Sequence, residues 1–142
     1  MPPRTIYLLS RLHYMLRQKI DRLLADTGVT AVHYTILSML QSRDTLSSAE
    51  IARRYYVTPQ SMNEIISSLE RQGLVSRMPS PENRRILLVR LTERGSELLA
   101  RCDAIADEVE GELTSVLPPD RRAAFRDMLQ EIWRHAVKEK HA

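Results

Sequence analysis

Apolar side chains in the first part of the chain recur every three to four residues, which is the spacing of one helical face. The pattern runs from Thr5 to Ala25 and predicts a long first helix that Gly28 ends. Thr30 is a typical N-cap residue, and the apolar positions after it predict a second helix that ends near Ser42. The face of the first helix is made of Leu9, Leu12, Leu16, Ile20 and Leu23.

Two shorter helices follow, each with a clear start signal. Ser47 and Glu50 have the spacing of a capping box, in which each side chain bonds the backbone N–H of the other residue at a helix start. Thr58 and Pro59 place a capping hydroxyl before a proline at the first helical position. Gly73 can close this fourth helix in a left-handed conformation. Because the fourth helix has one apolar and one polar side, the pair is predicted to be a helix-turn-helix.

Residues 74–91 predict a β-hairpin with a basic tip. Two β-prone runs, residues 74–78 and 86–91, flank a segment rich in turn-forming residues that holds Arg84 and Arg85. The expected fold class is therefore mainly α with a small β-hairpin wing, a winged helix-turn-helix with helices before and after it.

Two long helices complete the chain. Thr92 caps a fifth helix whose apolar stripe is expected to reach Val116, before Pro118 and Pro119 end it. The last helix carries more apolar side chains than the final helix of a small monomer usually hides, which predicts a dimer. These side chains are Phe125, Met128, Leu129, Ile132, Trp133, Ala136 and Val137.

Charge is unevenly distributed along the chain, although the net charge is only +3. Residues 1–42 and residues 43–95 each carry +3, and residues 96–142 carry −3. This distribution favours one face that approaches phosphate and another face with a different partner. The alternative is ordinary surface scatter.

Composition argues against several classes of protein. The apolar runs are too short for a membrane span and the N-terminus lacks the apolar stretch of a signal peptide, so we expect a cytoplasmic protein without a membrane partner. Cys102 is the one cysteine in the sequence, and the histidines at positions 13, 33, 135 and 141 lack the close spacing of a metal site. The sequence contains neither a catalytic constellation nor a glycine-rich phosphate loop, so neither an enzyme nor a cofactor is expected.

The order of these elements, together with five motifs, resembles the MarR family of bacterial transcription regulators. The motifs are residues 30–40 (TAVHYTILSML), 47–52 (SSAEIA), 57–62 (VTPQSM), 69–75 (LERQGLV) and 91–95 (LTERG). The resemblance implies a triangular homodimer. Segments 1–29 and 96–142 form its dimerisation region, in which residues 5–25 and 97–140 make the contacts between the two copies. Residues 30–95 read DNA. It also implies repression or activation of neighbouring genes, commonly relieved by a small ligand or an oxidant.

The wing and one position of the fourth helix depart from the pattern of that family. The wing usually reads Asp-Pro-x-Asp-Arg-Arg, whereas residues 80–85 here read Ser-Pro-Glu-Asn-Arg-Arg. Asn83 accepts a hydrogen bond but forms no ion pair, which leaves the orientation of Arg85 less well determined. Glu64 stands where many relatives carry arginine, and its carboxylate can instead accept a hydrogen bond from N4 of cytosine.

The polar face of the fourth helix and the basic wing are the predicted DNA contacts. Gln60 and Asn63 carry the paired donor and acceptor that match adenine N6 and N7. Arg84 and Arg85 suit a narrow, negative minor groove. A twofold dimer predicts a near-palindromic site with half-site centres about 10 bp apart. The alternative is a solvated helix face with ordinary surface arginines. The helix positions are Thr58, Pro59, Gln60, Ser61, Asn63 and Glu64, and the arginines expected at phosphates are Arg53, Arg54, Arg77 and Arg90.

A small aromatic acid or phenol is the predicted effector. Flat apolar side chains with polar tips suit such a ligand, and simple packing is their alternative role. Redox sensing through Cys102 is an alternative to a ligand. Because Cys102 lies on the apolar stripe of the fifth helix, its position favours the role of a small buried apolar side chain. A winged helix used only for protein contacts is the remaining alternative, against which the wing arginines argue. The candidate effector residues are His13, Tyr14, His33 and Tyr34.

Overall fold

The computed structural model describes residues 1–55 and 57–140, and these form six α-helices and a three-stranded sheet. The helices are α1 (Thr5–Leu24), α2 (Ala31–Ser42), α3 (Ser48–Tyr55), α4 (Pro59–Arg71), α5 (Glu93–Thr114) and α6 (Pro119–Lys140), and a 3₁₀ turn (Ala25–Thr27) follows α1. The strands are β1 (Leu46–Ser47), β2 (Val75–Pro79) and β3 (Leu87–Leu91). The predicted fold class, mainly α with a small β wing, is confirmed.

The helix ends lie close to the positions that the capping residues predict. The Ser47 hydroxyl oxygen accepts from the backbone N–H of Glu50 at 3.1 Å, and the Glu50 carboxylate accepts from the Ser47 N–H at 3.4 Å. Gly28 and Gly73 have φ angles of 80° and 76°, a left-handed conformation that favours a residue without Cβ. The capping box and both glycine stops are therefore confirmed.

The sheet contains one strand that the sequence did not predict. All its pairs are antiparallel, in the order β1-β3-β2. Leu46 of β1 lies opposite Val89 of β3, and on the other side of β3 the same Val89 lies opposite Arg77 of β2. The wing is thus hydrogen-bonded to the segment that leads into α3, so hairpin and helix-turn-helix form one body.

The core of the first compact unit, Met1–Ala106, ties α2, α3 and α4 to the sheet. Burying a side chain of leucine size stabilises the fold by about 1.5–3 kcal/mol relative to leaving it exposed. Because the apolar side of α4 is held in this core, its opposite side is held toward solvent. The core residues of these elements include Ile36, Leu37, Leu40, Leu46, Ile51, Met62, Ile66, Leu69 and Val89.

The second compact unit starts at Asp107 and includes the end of α5 and all of α6. The expected reach of the fifth helix was too long: α5 ends at Thr114, and Val116 lies outside it with 84% of its surface exposed. The reason is a tight turn, in which the N–H of Leu117 donates to the carbonyl of Thr114 at 2.9 Å. Val116 is therefore not part of the stripe.

Among the described helices no single one is both long and apolar enough to cross a bilayer. Thr5–Thr27 and Ala31–Ser42 have the length and composition of a span only as a pair with an 80° bend between them.

Candidate nucleic-acid interface

The first turns of α4 present a polar surface that its own cap holds in place. The Thr58 hydroxyl oxygen accepts from the backbone N–H of Ser61 at 3.1 Å, and the same hydroxyl donates to Ser61 Oγ at 3.0 Å. Pro59 occupies the first helical turn, where its missing N–H leaves no hydrogen bond unmade. The exposed side chains near this end are Pro59, Gln60, Ser61, Asn63 and Glu64.

An open groove of about 580 Å³ runs along this face of α4. Its walls supply amide, hydroxyl, carboxylate and guanidinium groups, which are the groups that form hydrogen bonds with base edges and phosphates. Ser67 and Arg71 were not among the predicted contacts, although they continue the same face at helical spacing. The lining residues are Gln60, Asn63, Glu64, Ser67 and Arg71.

The tip of the wing, residues 80–86, closes on itself through local hydrogen bonds. The N–H of Ser80 donates to the carbonyl of Ile86 at 2.8 Å, and the carbonyl of Asn83 accepts from the Ile86 N–H at 2.9 Å. The Asn83 side chain accepts from the backbone N–H of Arg85 at 3.1 Å. Asn83 therefore fixes the backbone of the tip, while the side chains of Arg84 and Arg85 are exposed.

Three of the four arginines expected at phosphates are exposed, and one is not. Arg53 and Arg54 lie in the last turn of α3, and Arg90 lies on β3. The side chain of Arg77 is only 15% exposed, because it turns toward α4 and pairs with Glu70. The packing of Arg77 against α4 therefore sets it apart from the other three arginines that were predicted to contact phosphate.

Two of the four candidate effector residues lie on α1 with exposed side chains, and two lie on α2 with their polar tips bonded internally. His13 and Tyr14 are exposed, and the Tyr14 hydroxyl accepts from Gln18 at 2.8 Å. The Tyr34 hydroxyl donates to Asp103 of α5 at 2.6 Å. Burial, with further contributions from Asp103, raises the pKa of Tyr34, which keeps its phenol protonated.

His33 is part of the N-terminal cap of α2. Its Nδ1 accepts from the backbone N–H of Thr30 at 3.2 Å, and the Thr30 hydroxyl oxygen accepts from the His33 N–H at 3.3 Å. Asp21 of α1 completes the cap by accepting from the N–H of Ala31 at 2.6 Å. Burial lowers the pKa of His33, against the opposing charge of Asp21. His33 therefore has a structural role in capping α2.

Cys102 lies in the core of the first unit, 1% exposed. Burial is the main cause that raises the pKa of its thiol, and the charge of Asp103 adds to it. Both effects lower the fraction of reactive thiolate. Within residues 1–55 and 57–140, no three His, Cys, Asp or Glu side chains are grouped to hold a metal, and His141 lies outside the described residues.

The chain is similar in sequence and in structure to several known proteins. The model of the MarR family matches residues 29–87. The HTH-type transcriptional repressor Rv2887 of Mycobacterium tuberculosis is 35% identical over 126 residues, which are 89% of this chain and 91% of the relative. The crystal structure of the M. tuberculosis MarR family protein Rv2887 in complex with DNA has a TM-score of 0.77 at 31% identity, covering 92% of this chain and 98% of that one. A mutant MarR from Escherichia coli complexed with operator DNA has a TM-score of 0.73 at 27% identity, covering 89% and 94%.

Proposed function

Because this chain belongs to the MarR family, whose members are transcription regulators and not enzymes, we propose that it represses transcription by binding a near-palindromic DNA site as a homodimer. The observation that carries the proposal is the capped, solvent-facing polar side of α4 on the same body as an arginine-bearing wing tip. Its site of action is the cytoplasm, where its DNA target would lie.

Base reading is assigned to the first turns of α4. Gln60 and Asn63 each offer an amide whose donor and acceptor match adenine N6 and N7 in the major groove. Glu64 lines the same groove and offers an acceptor to cytosine N4. Thr58 and Ser61 cap the helix and lie at the end nearest the bases when such a helix enters the groove. This face would therefore supply the sequence preference.

Phosphate and minor-groove contacts are assigned to arginines outside α4. Arg84 and Arg85 project from the wing tip and suit a narrow minor groove. Arg53, Arg54 and Arg90 are exposed and would neutralise phosphates, which adds affinity and salt dependence but little sequence preference.

Homodimer formation is supported by apolar surface that the single chain leaves uncovered. On α1, Ile6 is 70% exposed and Leu9 is 43% exposed. On α6, Ile132 and Trp133 are 55% and 56% exposed. Monomeric proteins rarely expose rows of large apolar side chains, whereas an interface between two copies buries them. A second copy of the chain is the proposed partner for both helices.

Relief of repression by a small aromatic or phenolic ligand is the finer part of the proposal. His13 and Tyr14 present exposed aromatic surfaces on α1, and the phenol of Tyr34 already binds a carboxylate of α5. A phenolic ligand could compete with Tyr34 for a carboxylate such as that of Asp103 and so alter the hydrogen bond between α2 and α5. The measurement is release of bound duplex by small phenolic acids, compared between the wild type and His13→Ala.

The test of DNA binding is a fluorescence anisotropy titration against random duplex and against sites selected from a library, at several salt concentrations. We expect an enriched palindrome and a steep negative salt slope. Arg84→Ala and Arg85→Ala should weaken binding. Each variant removes one cation from both protomers of the dimer, so it should reduce the slope by about 1.8. Arg121→Ala removes the same charge from α6 and serves as control. Absence of duplex binding at low salt would instead favour a winged helix that contacts only proteins.

The test of the dimer is sedimentation equilibrium of the wild type and of Ile132→Asp. A charge at an apolar interface position should shift the chain toward monomer and weaken operator binding, because two linked half-sites contribute to affinity. Gln130→Asp places the same charge at a polar position of α6 and should leave the dimer intact. A monomeric wild type would exclude the dimer.

A further inference from the structure

We infer that Arg77 is a positioning residue, which fixes the wing against the recognition helix α4 and does not contact phosphate. The inference rests on the proposed function, because it concerns how the DNA-reading surfaces are aligned. It assigns to this arginine a role different from that of the exposed arginines 53, 54 and 90.

The guanidinium of Arg77 crosses from β2 to α4 and meets that helix at three points. Its Nη2 donates to the Ser67 hydroxyl and, at 3.4 Å, to the backbone carbonyl oxygen of Asn63. Its Nε lies 3.8 Å from a carboxylate oxygen of Glu70. Residues 63, 67 and 70 follow one another at helical spacing along one side of α4. One planar side chain therefore spans two turns of the helix.

Because the Arg77 side chain is largely buried, we expect it to keep this position when DNA binds. Its side chain is 15% exposed, and its Nε is buried without a hydrogen-bond partner among the residues that the structure describes. A buried guanidinium depends on its ion pair and hydrogen bonds, since it has already given up its hydration. Turning outward to a phosphate would break all three interactions with α4 and would leave the Glu70 carboxylate without this cation.

The position of Arg77 in the sheet explains what it aligns. It lies opposite the fully buried Val89, near the middle of the β2–β3 pairing, and Pro79 at the end of β2 precedes the wing tip. Its helix partners, Asn63 and Ser67, line the groove of α4. The arginine thus joins the strand that carries the wing tip to the helix side that carries the reading groove. Without its guanidinium, the spacing between the two DNA-reading elements would vary.

Arg77→Lys and Arg77→Met test the inference, with Ser67→Ala as the matched change on the helix. Lysine keeps the charge but cannot reach several partners with one planar fork. We expect both Arg77 variants to lose affinity for the selected site by about tenfold or more, which is the size of one lost base contact. Affinity for random duplex and the salt slope should stay as in the wild type. Ser67→Ala should show a smaller loss of the same kind, and combining it with Arg77→Met should add little.

Arg90→Met is the control, because it removes an exposed arginine from the same sheet. This change removes one cation from each protomer of the proposed dimer, so it should weaken both duplexes alike and reduce the salt slope by about 1.8. If Arg77→Met behaves in this way instead, Arg77 contacts phosphate and the inference is wrong. Unchanged affinity of the Arg77 variants for both duplexes would also overturn it.

A measurement without DNA separates this inference from the proposed function. Spin labels at Gln60→Cys and Glu82→Cys, in a Cys102→Ala background diluted with unlabelled protein, report the distance from α4 to the wing tip. We expect the distance distribution to widen in Arg77→Met while the helical circular dichroism is retained. An unchanged distribution would overturn the inference even if the wild type bound duplex, and a wild type that fails to bind duplex would overturn only the proposed function.

Discussion

The α-carbon of Gly95 lies directly against the backbone of Leu74. A Cβ placed on Gly95 would lie 2.0 Å from the carbonyl oxygen of Leu74 and 2.9 Å from its carbonyl carbon. The same carbonyl accepts from the N–H of Thr92 at 3.1 Å, and the Thr92 hydroxyl donates to the carbonyl of Gly73 at 2.6 Å. The first turn of α5 is therefore packed onto the turn that ends α4, with no room for a side chain between them.

Gly95→Ala should destabilise the fold by about 1–3 kcal/mol, because the methyl group meets backbone that can only move by disturbing the turn. Urea unfolding measures the effect. Gly111→Ala in the same helix is the control, since a Cβ there has nothing within 4 Å, and it should stabilise the protein by about 0.5–1 kcal/mol through helix propensity. Equal effects of the two changes would show that the close approach of Gly95 to Leu74 does not affect the free energy of unfolding.

The His33 cap makes stability depend on pH. Burial lowers the pKa of His33 below its usual 6.5, and its Nδ1 accepts the Thr30 N–H only when the ring is neutral. Because the unfolded chain binds this proton more readily, the stabilisation is fully present above about pH 6.5 and is lost as pH falls through the folded-state pKa. The Tm of the wild type should fall more between about pH 7.5 and about pH 5.5 than that of His33→Gln, which keeps an acceptor that does not titrate. Parallel pH profiles would contradict this.

Glu64 should set a base preference at one position of each half-site. Its exposed carboxylate lies in the α4 groove, where it can accept from cytosine N4 but repels phosphate. Glu64→Ala should remove about 1–3 kcal/mol of discrimination at that base pair and raise affinity for random duplex. Site selection with both proteins measures this. Glu108→Ala removes an exposed carboxylate from α5 and should change neither property. An identical selected site for the wild type and Glu64→Ala would exclude base contact by Glu64.

Oxidation should leave DNA binding unchanged. Cys102 is buried and its pKa is raised, so little thiolate is available to react with peroxide. We expect equal duplex affinity before and after peroxide treatment, and slow reaction with a thiol reagent until the protein is unfolded. Loss of affinity in the wild type, absent in Cys102→Ala, would support the redox alternative instead.

The helix starts could be predicted because a cap is a local arrangement. Thr58 and Ser61 lie one turn apart, and so do Ser47 and Glu50, so residue type and spacing together define each start. The polar face of α4 could be predicted for the same reason, since it is the complement of an apolar stripe.

Features that depend on distant parts of the chain could not be predicted in this way. Strand β1 has two residues, too few for an alternating pattern, and its partner β3 lies beyond two helices. Tyr34 and Asp103 are 69 positions apart, so no local spacing connects them. The inward direction of Arg77 depends on which side of β2 meets α4, and this is decided by the packing of the whole unit.

The wing tip forms its backbone hydrogen bonds within residues 80–86, so its sequence can change during evolution without changes elsewhere. Among the described residues, the tip forms no backbone hydrogen bond with α3 or α4. Mutations in residues 81–85 can therefore accumulate without disturbing the core. Drift at this loop would therefore let descendants of the gene change how tightly they hold the minor groove, while they inherit the same scaffold and the same base-reading face of α4.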